Sequence, residues 1–141
     1  MKIELATSDA DIQACYPVMS QLRPHVSQSD WLPRIRRMEK DGFRLAAVRE
    51  GGAVRAVAGF RVFENLFAGR VLYVDDLVTD QQTRSHGHGK ALLDWLADRA
   101  RAERCATLEL DSGTQRVDAH RFYLRERMNI ICFHFARKLT P

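Results

Sequence analysis

The sequence predicts an α/β (α+β) fold in which helices pack on a central, mostly antiparallel sheet. Alternating or continuous apolar runs indicate strands, and longer stretches with apolar residues every three or four positions indicate amphipathic helices. Gly51-Gly52, between two apolar runs, is typical of a hairpin turn. The elements follow the order β-α-α-β-β-β-α-β-α-β. At 141 residues, the chain is expected to form one domain, 1–141, around one core.

The N-terminal part predicts one strand and two helices. Lys2 to Thr7 alternates polar and apolar residues, as a half-buried strand does. Ser8, with an acid three positions later, resembles a capping box and predicts a helix start. Pro17 then predicts a kink or a restart of that helix, because proline removes a backbone donor. A second helix is expected from Trp31 to Asp41, ended by Gly42.

The central part predicts an antiparallel meander followed by a strand-helix-strand unit. Phe43 to Glu50 and Ala53 to Phe63 flank the glycine pair, and Val71 to Thr79 follows a short turn. A helix over Gly87 to Glu103 has one apolar face, which is expected to pack on the sheet. The next strand, Ala106 to Asp111, should lie parallel to the strand before the helix.

The C-terminal part predicts a helix over Gln115 to Arg127 and a final strand over Ile130 to Leu139. This last segment is short for two full strands. A homodimer in which a second copy completes that edge of the sheet is therefore one expectation.

Composition excludes several classes of protein. The net charge of +4 is interleaved with acids, so it suits an anionic cofactor and is too scattered to indicate nucleic acid. No run approaches the roughly 20 apolar residues of a membrane span, and the first residues lack the apolar run of a signal peptide. We therefore expect a cytoplasmic protein with neither a membrane nor a nucleic-acid partner. The 3 cysteines form no Cys-x-x-Cys pair, which argues against a disulfide framework and a zinc site.

The stretch from Asp75 to Leu93 joins a strand end to a helix through a basic turn that contains glycine. Gly87 and Gly89 let the backbone come close to a ligand. The first N–H groups of a helix, with the helix dipole behind them, favour an anion. This pattern indicates a pyrophosphate-binding loop.

The kind of loop follows by exclusion. A Walker A loop needs glycine where Arg84 stands and Ser or Thr where Ala91 stands, and a dinucleotide fingerprint needs a third glycine where Leu92 stands. The remaining pattern, Arg84-x-x-Gly87-x-Gly89, resembles the acetyl-CoA-binding motif of the GNAT superfamily of N-acetyltransferases.

A second segment, Ala119-x-x-Phe122-Tyr123, resembles the Ala-x-x-Phe-Tyr segment of the same family. In that family the tyrosine often protonates the departing CoA thiolate, and a phenol donor would assist a thiol with a pKa of about 8.5. A tyrosine packed between helix and sheet is the alternative. Arg116 stands where the family often has asparagine, which puts one cofactor contact in question. Arg127 replaces a common glycine, so we expect a different helix exit.

The resemblance implies a mixed, mostly antiparallel GNAT sheet of six to seven strands, flanked by about four helices, with strands four and five splayed apart. It implies transfer of an acetyl group from acetyl-CoA, a co-substrate, to a primary amine by direct attack in a ternary complex. The acceptor stays open among small molecules, amino acids, polyamines and protein amines. A non-catalytic acyl-CoA-binding or regulatory module is the alternative. The cofactor-binding residues expected on this resemblance are Leu77, Val78, Thr79, Arg84, Ser85, His86, Gly87, His88, Gly89 and Lys90.

The attacking amine must lose a proton, and a carboxylate is the simplest base. Strand alternation places Asp75 on the face opposite Asp76, toward the substrate, unless a bulge changes the phase. Asp75 is therefore the first candidate, and some family members have an acid there. Asp111, at the end of strand five, is the second candidate. Asp76, interpreted mainly as a structural partner, and Glu64 are further candidates.

Two histidines and two aromatic residues complete the candidate list. His86 and His88 have no third ligand at a characteristic spacing, so we expect no metal and imidazoles that face outward. Trp31 and Phe67 are candidates to line an acceptor pocket. That pocket is expected to be built by two loops, Arg23 to Ser29 and Glu64 to Arg70.

Overall fold

A five-stranded sheet forms the centre of the first of two units in the chain. The structure, a computed structural model, describes residues 1–141, with units Met1–Leu110 and Asp111–Pro141. The elements of the first unit are β1 (Lys2–Leu5), α1 (Asp9–Ala14), α2 (Tyr16–Leu22), α3 (Gln28–Glu39), β2 (Arg44–Glu50), β3 (Ala53–Asn65), β4 (Gly69–Thr79), a 3₁₀ turn (Gln81–Thr83), α4 (His88–Ala102) and β5 (Thr107–Leu110). The strands lie side by side in chain order. All pairs are antiparallel except β4–β5, which confirms the predicted mixed sheet.

Serine caps begin the N-terminal helices. Ser8 Oγ accepts a hydrogen bond from the N–H three residues later at 3.1 Å, as predicted. The helix restarts at Pro17, which lies in the first turn of α2. Ser27 caps α3 in the same way, at 3.2 Å, so that helix begins before the predicted start at Trp31. None of the helices combines the length and apolar composition needed to cross a membrane.

The sheet is buried on both faces. Helices α1 to α3 cover one face, where the core includes Val57 and Val78. Helix α4 covers the other face with Leu92 and Leu96, which pack with Phe60. Each fully buried side chain of this size stabilises the fold by about 1.5–3 kcal/mol. These two cores hold β3 and β4 in a fixed register.

A β-bulge interrupts the pairing of β3 with β4. Gly59 pairs with Asp76 and Phe60 pairs with Val74, which leaves Asp75 as the extra residue. The bulge changes the alternation, so Asp76 lies on the face covered by α1 to α3 and lines a cavity there. The prediction that Asp75 and Asp76 lie on opposite faces excepted a bulge, and the bulge at Asp75 is that exception, so strict alternation does not hold here.

Strands β4 and β5 diverge at the bulge. β5 pairs only with Val71–Val74, while β4 continues to Thr79. The last residues of β4 therefore have β3 on one side and no strand on the other. This divergence confirms the predicted splay of strands four and five.

Gly59 is the position in the sheet where a side chain has no room. A Cβ there would lie 2.7 Å from Asp76 Oδ2 and would overlap the ring of Phe43. We expect Gly59→Ala to lower the free energy of unfolding by about 2 kcal/mol, because both neighbours must move. Denaturant unfolding measures this loss. Gly113→Ala is the matched control, since the atoms nearest its Cβ would belong to the flexible side chain of Gln115. Equal losses in the two variants would contradict the close approach at Gly59.

The second unit contains one helix, α5 (Val117–Arg125). The N–H of Met128 donates to the carbonyl of Tyr123 at 3.0 Å, and Arg127 has φ 66°. This is a Schellman turn, so the expected different exit is wrong. Arg127 itself adopts the left-handed conformation, at a cost of about 1–2 kcal/mol relative to glycine.

The predicted final strand, Ile130 to Leu139, does not form. Residues 129–141 have no regular structure and are all exposed, including Phe133 at 85% and Phe135 at 91%. The alternating apolar pattern is present, but a strand also needs a neighbour whose backbone groups pair with its own. The sheet accordingly has five strands, fewer than the six to seven expected.

Candidate active site

The loop that leaves β4 is tied to helix α2. Gln21 Nε2 donates to Asp80 Oδ1 at 3.2 Å, and Gln21 Oε1 accepts from the Gln81 N–H at 2.9 Å. Asp80 also accepts from the Gln82 N–H at 3.2 Å. These hydrogen bonds, the one from Gln21 first, lower the pKa of Asp80. The loop therefore starts from a position fixed by a second element.

The anion loop, Arg84–Lys90, then enters α4. Gly87 is the N-cap of α4 and has φ 85°, a left-handed conformation that favours glycine. The N–H groups at the start of α4 have no carbonyl partner within the helix, and the helix dipole places partial positive charge on them. The predicted residues from Arg84 to Lys90 thus form one continuous segment, a turn followed by the first residues of α4, and this segment suits an anion such as a pyrophosphate.

The two histidines of the anion loop have different environments. His86 is exposed, as predicted. His88 is only 2% exposed, and its Nε2 lies 2.5 Å from Glu50 Oε2 of β2. The outward imidazole predicted for His88 is wrong, because α4 packs on the sheet with its first residue over β2. The hydrogen bond from His88 lowers the pKa of Glu50. No group of three or more His, Cys, Asp or Glu side chains is placed to hold a metal ion.

The two aspartates at the bulge have separate arginine partners. Arg61 binds Asp75 through two hydrogen bonds, at 3.1 and 2.7 Å, which use both carboxylate oxygens. Arg23 donates from Nε to Asp76 Oδ1 at 2.8 Å and from Nη2 to the Asp75 carbonyl at 3.2 Å. Asp76 therefore has one oxygen outside this ion pair, whereas Asp75 has none.

Asp76 is the more buried of the two carboxylates, with 15% of its side chain exposed against 21% for Asp75. Burial raises the pKa of Asp76 above its usual range, and Arg23 opposes that rise only in part. A carboxylate with a raised pKa accepts a proton more readily than an ordinary one. Asp76 thus combines a carboxylate of raised pKa with a position in the wall of a cavity.

That cavity has a volume of about 140 Å³ and lies between α2, α3 and β4. Its lining residues are Met19, Arg23, His25, Val26, Trp31, Arg34, Ile35, Met38, Phe43 and Asp76. A cavity of about 150 Å³ in another protein holds benzene, so this one admits about six non-hydrogen atoms.

The predicted pocket residues divide between the cavity and the surface. The loop after α2 supplies lining residues of this cavity, whereas the loop from Glu64 to Arg70 supplies none. Trp31 lines the cavity, and its indole N–H donates to the Ile12 carbonyl at 2.8 Å. Phe67 is 84% exposed, and Glu64 is also exposed.

The other two candidates, Tyr123 and Asp111, belong to the second unit. Tyr123 lies on α5 and is half-buried; this burial raises the pKa of its hydroxyl, while the charge of Arg116 acts in the opposite direction. A phenol of this kind is protonated at neutral pH. Asp111 is exposed and forms an ion pair with His134 at 2.7 Å.

Sequence reasoning missed Gly59, Arg61 and Arg34. An isolated glycine inside a strand pattern is a signal of close backbone approach, so Gly59 was detectable. The pair of Arg61 with Asp75 depends on the register across the bulge, and no local pattern reveals it. Arg34 stands in a run of arginines interleaved with acids, a pattern that is typical of a solvated helix face.

The chain matches one protein-family model and is similar in sequence to known acetyltransferases. Residues 9–128 match the model of the Acetyltransferase (GNAT) family. The chain is 39% identical over 118 residues to an uncharacterized N-acetyltransferase, YhdJ, of Bacillus subtilis, with 83% of each chain covered. It is 33% identical to the aminoalkylphosphonate N-acetyltransferase of Salmonella typhimurium over 69% of this chain and 62% of that protein.

Solved structures share the fold at low sequence identity. A ribosomal-protein-alanine N-acetyltransferase from Brucella melitensis is 18% identical, with a TM-score of 0.83 over 99% of this chain and 100% of that one. An aminoglycoside N-acetyltransferase in complex with CoA is 12% identical, with a TM-score of 0.82 over 99% of this chain and 96% of that one. These likenesses establish the architecture.

Proposed function

The chain belongs to the acetyltransferase (GNAT) family, and on this premise we propose that it moves an acetyl group from acetyl-CoA directly to a primary amine. Membership of the family makes the chain an acyltransferase that uses an acyl-CoA donor and an amine acceptor. The observation that carries it is the open edge of β4, which leads straight into the anion loop at the start of α4.

We assign the cofactor contacts to the end of β4 and the anion loop. The N–H groups of Arg84–Lys90 suit the pyrophosphate, since the left-handed Gly87 leaves room for a close approach of the backbone. Leu77 to Thr79 pair with β3 on one side and have no strand on the side of β5, so their backbone suits an extended pantetheine arm on that open side. A backbone N–H at Leu77 or Val78 would stabilise the oxyanion that forms on the thioester carbonyl.

Asp76 is the base that the geometry supports best. It lines the cavity, and burial raises its pKa, so it receives a proton from the bound ammonium group more readily than an ordinary aspartate. Asp75 is the alternative, acting through a water molecule, because Arg61 binds both of its oxygens. Asp111 is a further candidate, and it would first have to leave His134.

The bonds and protons of the transfer then balance. The ammonium group gives one proton to Asp76, which afterwards releases it to solvent, and the nitrogen forms a bond to the acetyl carbon. The carbon–sulfur bond breaks as the tetrahedral intermediate collapses, and the second amine proton leaves to solvent. Tyr123 gives its hydroxyl proton to the departing thiolate and regains one from solvent.

Removing the Tyr123 hydroxyl should lower the rate and leave cofactor binding intact. We expect Tyr123→Phe to reduce kcat about tenfold, a modest effect because a thiol of pKa about 8.5 already leaves fairly well. CoA release, followed with a thiol reagent, gives kcat, and calorimetry gives the affinity for acetyl-CoA. An unchanged kcat would assign Tyr123 to packing between elements.

The same assay separates enzyme from binding module. Incubation with acetyl-CoA and a panel of amines should release CoA and yield an acetylated product of the expected mass. Tight binding of acetyl-CoA without turnover on any amine would instead favour an acyl-CoA-binding or regulatory module.

We also propose that two copies form a homodimer through the C-terminal tail, residues 129–141. The tail exposes Ile131, Phe133 and Phe135 in alternation, and this pattern suits a strand paired with a second copy.

The tail predicts a defined result for the assembly. Light scattering after size exclusion should give the mass of a dimer, and the double variant Phe133→Asp/Phe135→Asp should give a monomer. Leu66→Asp/Phe67→Asp is the matched control, because those side chains are 107% and 84% exposed at the turn between β3 and β4. A monomeric native chain, or loss of the dimer in the control alone, would contradict the proposal.

A further inference from the structure

Given the proposed function, the charges around the cavity between α2, α3 and β4 limit the chemical classes of amine that it can accept. Arg23, Arg34 and His25 supply basic groups, and Asp76 is the acid among the lining residues. Arg23 is bound to Asp76 at 2.8 Å. Asp76 is therefore the carboxylate in the cavity that can bind the ammonium group of an acceptor. Arg34 and His25 face the same space, and no other carboxylate among the lining residues pairs with them.

Arg34 is available to a ligand. Its ion pair with Asp30 is long, at 3.4 Å, and both side chains are more than 40% exposed, at 44% and 43%. Exposed pairs of this kind hold the guanidinium weakly. His25 is exposed in the loop that follows α2. Both side chains are free to turn toward an anion at the cavity.

We infer that this cavity takes a small primary amine that also carries an anionic group, such as a carboxylate, phosphonate or sulfonate. The amine points to Asp76, and the anion binds Arg34 and His25. The guanidinium fork of Arg34 matches a group with two or three oxygens, through charge-assisted hydrogen bonds. This assignment deepens the proposed function, because it names the acceptor class of the same site.

The walls and the size of the cavity support a short spacer between the two charges. Apolar side chains of Val26, Trp31, Ile35 and Phe43 surround the space, and they suit two or three methylene groups. A volume of about 140 Å³ admits the amine and its spacer.

The charge balance also disfavours an acceptor with a second cation. Two arginines and one aspartate line the cavity, so a polyamine would place its second ammonium group near Arg34. The ammonium group and the guanidinium group of Arg34 would repel each other, and they would do so more strongly beside apolar walls than in water. An anionic group in the same position gains attraction instead.

A series with a fixed two-carbon spacer tests the inference. The probes are 2-aminoethylphosphonate, 3-aminopropanoate and 2-aminoethanesulfonate, against neutral ethanolamine and cationic ethylenediamine, with a lysine-containing peptide for protein amines. CoA release with native protein should give kcat/KM at least tenfold higher for the best anionic probe than for ethanolamine, and lowest for ethylenediamine.

Arg34→Gln should raise KM for that anionic probe about tenfold and leave KM for ethanolamine unchanged. Arg34→Lys should restore part of the loss, since it keeps the charge without the fork. Arg37→Gln, an exposed neighbour on α3 outside the cavity, is the matched control and should behave as the native chain.

The possible results distinguish failure of the acceptor assignment from failure of the proposed acetyl transfer. Turnover that is equal or faster on ethanolamine, ethylenediamine or the peptide overturns the inference and leaves the proposed acetyl transfer standing. Equal KM effects of Arg34→Gln on charged and neutral probes also overturn it. Release of CoA with none of the amines overturns both the inference and the proposed function.

Discussion

Gly87→Val should weaken acetyl-CoA binding about 100-fold, which corresponds to about 2.7 kcal/mol. Gly87 has φ 85° and caps α4, with nothing within 4 Å of the position where a Cβ would stand. That open space is where we place the pyrophosphate. A branched side chain fills it and also disfavours the left-handed conformation that directs the N–H groups of the anion loop. Calorimetric titration with acetyl-CoA measures the loss.

Gly69→Val separates the loss of binding from backbone strain. Gly69 has φ 81° and equally open surroundings, and it lies at the start of β4, away from the anion loop. Both variants should lower the free energy of unfolding by about 2 kcal/mol. Only the Gly87 variant should lose affinity for acetyl-CoA. Equal affinities in the two variants would remove the anion loop from the cofactor site.

Asp76→Asn should reduce kcat at least 100-fold while acetyl-CoA affinity stays at the native value. General bases contribute about 10²–10⁴ to a rate, and an amide cannot accept the ammonium proton. Asp75→Asn is the matched control, because it is the neighbouring acid and is already bound to Arg61 through both oxygens. We expect a smaller loss from it. The reverse order of effects would return the role of base to Asp75.

The pH dependence of Asp76 has a definite sign. Burial raises the pKa of Asp76 in the folded state above the usual value of about 3.9 for aspartate. As the pH drops through this raised pKa, Asp76 becomes protonated and can no longer act as the base. We therefore expect kcat/KM to fall in that pH range. For stability the sign is opposite: the contribution of Asp76 is fully present below its unfolded pKa and is lost as the pH rises through the folded pKa. Asp76→Asn should therefore leave the unfolding midpoint at pH 7 unchanged or slightly raised.

Local patterns predicted the features that depend on local chemistry. The two glycines at 51 and 52 form the turn between β2 and β3 with φ of 62° and 77°, and Ser8 caps α1. The anion loop follows in the same way, because its conformation depends on Gly87 and the helix start beside it. The parallel direction of β5 follows from the intervening helix.

Features that depend on distant partners were not predicted or, for the bulge, were predicted only as a possible exception without a position. The bulge at Asp75 is set by the packing of β3 against β4, and it decides which face Asp76 occupies. The buried imidazole of His88 depends on Glu50, which is distant in sequence. The tail has the alternation of a strand, but whether it pairs is decided by the presence of a neighbour rather than by its own residues.

Arg127 shows the opposite case, in which a substitution changes energy and not geometry. The family's usual glycine is absent, yet the helix exit keeps the Schellman hydrogen bond of Met128 to Tyr123, and Arg127 takes φ 66°. The absence of glycine after a helix therefore indicates backbone strain at that position and does not by itself indicate a different turn.

A crystal structure with bound acetyl-CoA would show whether the splayed end of β4 and the anion loop form one acetyl-CoA site beside Asp76. We expect the pyrophosphate to lie against the N–H groups of Arg84–Lys90 and the thioester carbonyl to lie within hydrogen-bond distance of the N–H of Leu77 or Val78. The cavity with Asp76 should open toward the thioester carbon. A pyrophosphate bound elsewhere, or a thioester outside the splay between β4 and β5, would contradict it.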